Sequence, residues 1–131
     1  MKDPFKCELV EIDLVSLNAF KTDEDLEIEE IPLEVKRETD IDILDIRNDQ
    51  IKVRLKEEIF FKPRSPIKVN LEVHGKFRVD GPVEQEKILS QIEKSMYPMF
   101  AKASMVAAFV TNEMLGSPLI LPPFREKETS S

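Results

Sequence analysis

Few residues in this 131-residue chain could carry covalent or proton-transfer chemistry. It holds one histidine, His74, one cysteine, Cys7, and three glycines, Gly75, Gly81 and Gly116. A general base with its partner, or a zinc site, needs several such groups brought together. His74 alternates with apolar residues in the run from Ile67 to Val79, which places it on the water-facing side of a strand. A single cysteine can form neither an intrachain disulfide nor a multi-cysteine metal cluster, and Cys7 reads as a small buried residue of a strand. Three scattered glycines cannot build a phosphate-cradling loop, and neither nucleotide-binding fingerprint is present. Asp40 and Asp42 supply the two carboxylates a glycosidase needs, but their alternate spacing is that of a solvated strand face. The expectation is a protein that is not an enzyme and uses no cofactor and no metal.

Binding chemistry is better represented. Four of the five methionines, Met96, Met99, Met105 and Met114, fall within or beside one segment, and flexible, polarizable side chains suit a surface that accepts many partners. Phe60 lies out of phase with Ile59 and Phe61, so its ring should project from an otherwise polar face. A net charge of -7 argues against a nucleic-acid partner and for a basic one. Residues Asp23 to Asp49 hold twelve acidic against three basic residues, a balance of -9, which leaves +2 for the rest. An acidic half therefore faces a mildly basic one.

The elements that must position these groups follow from periodicity. Apolar residues alternate at Phe5, Cys7 and Leu9, then in shifted phase at Val10, Ile12 and Leu14, which predicts a strand with a bulge. A polar loop from Lys21 to Asp25 and the break at Pro32 suggest a crossover. Leu33 to Ile46 gives a second strand or two short ones, Ile51 to Phe61 a third, and Ile67 to Val79 a strictly alternating fourth. Lys52, Arg54 and Lys56 on the polar face of the third strand are expected to pair across to the acidic second strand.

Beyond Gly81, Pro82 and Glu84 favour a helix start, and Ile88, Leu89, Ile92 and Met96 recur at helical spacing. A second helix is predicted from Pro98 to Leu115, capped by Gly116. Met99, Ala103, Val106, Val110 and Met114 form one stripe, while Ala101, Met105, Ala108 and Phe109 occupy much of the rest. One sheet covers only one side of a helix, so the other side must meet another subunit or a client. The predicted fold is α+β, a four-stranded antiparallel sheet followed by two helices in one domain spanning 1–131. The sheet should run over about 5–80, the helices over about 82–115, an apolar proline-bearing tail over 117–124 and a frayed end over 125–131.

That order resembles the SecB family of chaperones. Ser65-Pro66-Ile67-Lys68-Val69-Asn70-Leu71-Glu72-Val73-His74-Gly75-Lys76-Phe77 is similar to the family's run of strand, acidic residue, glycine and phenylalanine. Pro98-Met99-Phe100-Ala101-Lys102 resembles the start of its long helix, and Leu119-Ile120-Leu121-Pro122-Pro123 the segment after it. The resemblance covers roughly Glu8 to Phe124. It departs in having no counterpart of the family's last helix after Phe124, and in a region between Pro98 and Pro118 longer by about one helical turn.

The resemblance implies a homotetramer built as a dimer of dimers, whose apolar grooves hold unfolded polypeptides without ATP in protein export. Phe20, Phe60, Phe77, Met105 and Phe109 are the expected client-binding residues. Asp13 and Glu72 stand where the family's acidic sheet surface contacts the basic tail of the SecA motor. A dedicated chaperone of an antitoxin, or a structural or adaptor subunit that binds no client, is the alternative. A cytoplasmic location without membrane insertion is expected, because no run approaches the ~20 apolar residues that span a bilayer and Met1-Lys2-Asp3-Pro4 is no signal core.

Overall fold

The computed structural model describes residues 6–22, 34–47, 49–81, 87–116 and 118–121. Strands β1 (Lys6–Lys21), β2 (Glu34–Arg47), β3 (Gln50–Lys62) and β4 (Ile67–Asp80) form one antiparallel sheet in the order β1-β4-β3-β2. β1 and β2 are thus the two opposite edges, the strand order that the expected crossover implies. Helix α1 (Ile88–Ile92) passes through a 3-10 turn, Glu93–Met96, into α2 (Tyr97–Leu115). The expected start of the first helix at Pro82 lies outside the described residues, and the part described is short. Pro98 sits in the first turn of α2, where its missing N–H costs nothing, and Gly116 closes the helix at φ 82° with its N–H donating to the Asn112 carbonyl.

β3 and β4 carry the core. Ile51, Val53, Leu55 and Ile59 on β3 and Ile67, Val69, Leu71, Val73, Phe77 and Val79 on β4 are buried beneath Ile88, Ile92, Met96, Met99, Phe100, Ala103, Ala107 and Val110. The alternation read from β4 is observed residue for residue. Cys7, on the same face of β1 opposite Val79, is half-buried. Burial pushes its thiol pKa up, opposed by a hydrogen bond from Ser95.

Three register shifts set which side chains share that core. β1 shifts between Leu9 and Glu11 and again between Leu14 and Ser16, and β2 shifts between Ile43 and Asp45. The first is the phase change expected at Val10. The second was not anticipated, and it inverts the end of β1: Leu17 and Ala19 turn inward opposite Leu71 and Val69, while Phe20 turns to the polar face opposite Lys68. β2 is one continuous strand bent by its bulge, not two short ones.

Gly75 is a packing requirement. A Cβ there would meet the Met99 sulfur at 2.5 Å and Leu9 Cδ1 at 3.2 Å, and Met99 is itself fully buried. Gly75→Ala should therefore lower the denaturant midpoint, costing about 1–3 kcal/mol. Met99→Ala removes the clashing atoms at its own cavity cost, so its loss and that of Gly75→Ala should be less than additive in the double variant.

Candidate functional site

Helix α2 buries Met99, Phe100, Ala103, Ser104, Ala107, Val110 and Thr111. At about 100° per residue, Met105 stands roughly 200° from both Ala103 and Ala107, and it points away from the sheet with Phe109 one turn on. Both are open, at 62% and 65% exposure. Tyr97 and Leu115 are exposed nearer the ends of the same helix. The expectation of apolar surface beyond what one sheet can cover holds, with the buried stripe displaced to include Phe100, Ser104 and Thr111.

The roof is also narrower than the sheet. Leu14 and Leu17 on the inward face of β1 stay exposed, as do Val35 and Ile46 on the inward face of β2 and Val10 and Val15 at the β1 bulges. Apolar side chains are thus open beside the helix along β1, and at the two ends of β2. Exposed large apolar side chains gathered in this way mark an interaction surface rather than scattered exceptions.

One buried ion pair fixes the helix over the β2 side. The inward face of β3 reads Ile51, Val53, Leu55, Glu57, Ile59, so Glu57 is a carboxylate in an apolar row, fully buried. Arg37, on β2 next to the pair Thr39–Glu57, reaches it with Nε and Nη2, the latter donating at 2.6 Å, and Nη2 also lies 3.5 Å from the Ser104 hydroxyl. Sequence reading overlooked Glu57, although its place in the alternation of β3 was visible. Thr111 was overlooked as well: buried in α2, its hydroxyl donates to the Ala107 carbonyl (2.8 Å) and accepts the Leu119 N–H (2.7 Å). That bond draws Leu121 into the core and leaves Ile120 exposed.

The five expected client-binding residues do not converge. Met105 and Phe109 crown the helix. Phe20 and Phe60 lie on the opposite, polar face of the sheet, opposite Lys68 and Lys36 respectively. Phe77 is a correction. It has no exposed surface, because its position in β4 faces α2 between Leu9 and Ile51.

No family model matches the chain, and no curated protein does. Among solved structures, the Mycobacterium tuberculosis Rv1957 SecB-like chaperone in complex with a ChAD peptide from the Rv1956 HigA1 antitoxin superposes with a TM-score of 0.66. The two chains are 14% identical over 88% of this chain and 89% of that one. The chain has a SecB-like fold. A protein of unknown function from Streptococcus agalactiae is also similar, with a TM-score of 0.58 and 12% identity over 92% of this chain and 99% of that one.

In this SecB-like fold the outer face of the sheet is a charged lattice. The expected cross-strand pairing is present: Asp40 faces Lys56, Asp42 faces Arg54 and Asp45 faces Lys52. Arg54 Nη2 donates to Asp42 at 2.7 Å, a contact that raises the guanidinium pKa further. Asp13 faces His74, and His74 Nε2 lies 2.7 Å from Glu72 Oε2, so Asp13 and Glu72 do share one face. His74 is only partly exposed there, where full solvation was expected. Ser16, Glu38, Asp40, Lys56, Glu58, Asn70 and Glu72 line a shallow concavity of about 310 Å³. Among the described residues no three potential metal ligands gather, and no helix is long and apolar enough to cross a membrane.

Proposed function

We infer that the protein is a chaperone that holds unfolded polypeptides without ATP, through the apolar surface on and beside α2. The observation that carries this reading is the exposed pair Met105 and Phe109 on the helix's outward side, with Leu14 and Leu17 open along one flank. Burying apolar surface contributes about 25 cal/mol per Å², so several shallow contacts along an extended client sum to useful affinity. The surrounding carboxylates keep a loaded complex in solution. Assembly into a homotetramer would join such surfaces from several copies and raise retention by avidity.

Two client classes fit this role. A segment of an antitoxin is favoured by the fold neighbour from Mycobacterium tuberculosis, whose partner is an antitoxin peptide. Precursor chains for protein export are the second, with Asp13 and Glu72 as the contact for a SecA-type motor in the cytoplasm; their shared outer face supports this reading. A purely structural or adaptor subunit would use the same helix for assembly alone.

Aggregation of a reduced, unfolded test protein, followed by light scattering without nucleotide, separates these outcomes when combined with native mass measurement. The chaperone reading expects scattering to be suppressed at near-stoichiometric ratios. A stable oligomer that leaves scattering unchanged would establish the structural role instead.

A further inference from the structure

One end of the sheet's outer face differs in chemistry from the rest of it. Phe20 on β1 faces Lys68 on β4, and Lys36 on β2 faces Phe60 on β3. The last β3–β4 pair is Ile59 with Val69, and Phe60 and Lys68 are the next residues along. Rings and ammonium groups therefore alternate across all four strands, a width of roughly 14 Å. Lys62 stands one row further out, opposite Glu34, with its Nζ 5.5 Å from the centre of the Phe60 ring, and Glu34 Oε1 holds Lys36 Nζ at 3.1 Å. Phe20 is 42% exposed.

This end of the sheet is held in shape. Ser65 accepts the Phe61 N–H at 3.0 Å and donates to the Ile67 carbonyl, which ties the end of β3 to the start of β4. The Thr22 N–H donates to the Pro66 carbonyl at 3.0 Å, which ties the end of β1 to the same connection.

The neighbouring rows limit what can bind. The next row inward is Asn18, Asn70, Glu58 and Glu38, followed by Ser16, Glu72, Lys56 and Asp40. A long polyanion would leave the lysines within one row and meet these carboxylates, so charge complementarity excludes an extended nucleic acid. A short stretch of polypeptide fits, provided an apolar side chain lies between the two rings and its flanking carboxylates meet Lys62 or Lys68, since Lys36 is engaged by Glu34.

We propose that this row is a second polypeptide-binding surface, selective for an apolar residue flanked by acidic ones and separate from the surface around Met105 and Phe109. The proposal rests on the reading that the protein binds extended chains, and it names the client chemistry of a row that this reading does not assign to them.

Fluorescent peptides of one length, with a central phenylalanine flanked by glutamate, glutamine or lysine, would be titrated against the whole chain by anisotropy. The glutamate-flanked peptide should bind about tenfold more tightly than the lysine-flanked one, the sum of a few exposed ion pairs. Lys62→Glu with Lys68→Glu should abolish that preference, and Lys62→Gln with Lys68→Gln gives the same reading should the acidic variant misfold. Met105→Asp with Phe109→Asp should leave it intact. Equal affinities for the three peptides, a preference that survives both lysine variants, or tighter binding of an oligothymidylate would overturn the proposal. A protein that suppresses aggregation yet ignores flanking charge sinks this surface alone. One that keeps the preference but holds no unfolded client sinks the chaperone reading alone.

Discussion

Arg37→Ala is expected to destabilise the fold by about 3–5 kcal/mol, the usual consequence of leaving one member of a buried ion pair without its partner. Glu57 has no exposed side-chain surface and Arg37 retains 14%, so the two halves of the pair are not equivalent. Without Arg37, the Glu57 carboxylate stays trapped under α2, with Ile59 and Leu55 on either side of it along β3. Without Glu57, the longer Arg37 side chain can turn its guanidinium toward water. Glu57→Leu should thus cost less than Arg37→Ala. The Arg37→Leu/Glu57→Leu double variant should regain much of the loss, since an apolar pair of similar volume commonly replaces a buried ion pair without penalty. Urea unfolding of the parent, Arg37→Leu, Glu57→Leu and the double variant closes a double-mutant cycle. Equal and small losses for both single variants would mean that the pair is solvated, contrary to its burial.

That pair also marks where pattern reading reaches its limit. The strands and the long helix were legible because their apolar spacing is regular: the alternation of β4 needs no tertiary information, and Gly116 announces the end of α2. Cross-strand charge pairing between β2 and β3 was legible for the same reason, since opposite charges recur on matching faces. Register is a different matter. Two residues inserted into β1, at Val10 and Val15, each invert the strand's faces, and only the first produced a visible break in the sequence. Phe20 consequently sits among lysines instead of in an apolar groove. Phe77 follows the alternation of β4 onto the apolar face, and α2 packed over that face closes it to a client. The roles of Glu57 and Thr111 are not marked by local periodicity, since each polar side chain is satisfied by a partner outside its own element, Arg37 on β2 and the tail residue Leu119.

The exposed helix surface yields the functional counterpart. Met105→Asp with Phe109→Asp should leave the unfolding midpoint within about 0.5 kcal/mol of the parent, as surface substitutions commonly do, because both side chains already face water. Fully burying a methionine or phenylalanine side chain is worth about 1.5–3 kcal/mol, and a charge in its place must be desolvated as well. Affinity for an unfolded client should consequently fall by at least about a hundredfold if both side chains are covered on binding. Leu17→Asp probes the flank along β1 in the same manner; it tests whether a client lies beside the helix or only upon it. Light scattering with a denatured client reads holding, and native mass measurement reads assembly. Lost holding with an unchanged oligomer identifies the helix as client surface. Lost assembly assigns it to sister subunits, and the client must then lie along Leu14 and Leu17. Should the double variant keep both holding and assembly, the exposed apolar pair would have no part in either, and the proposed function would lose the observation it stands on.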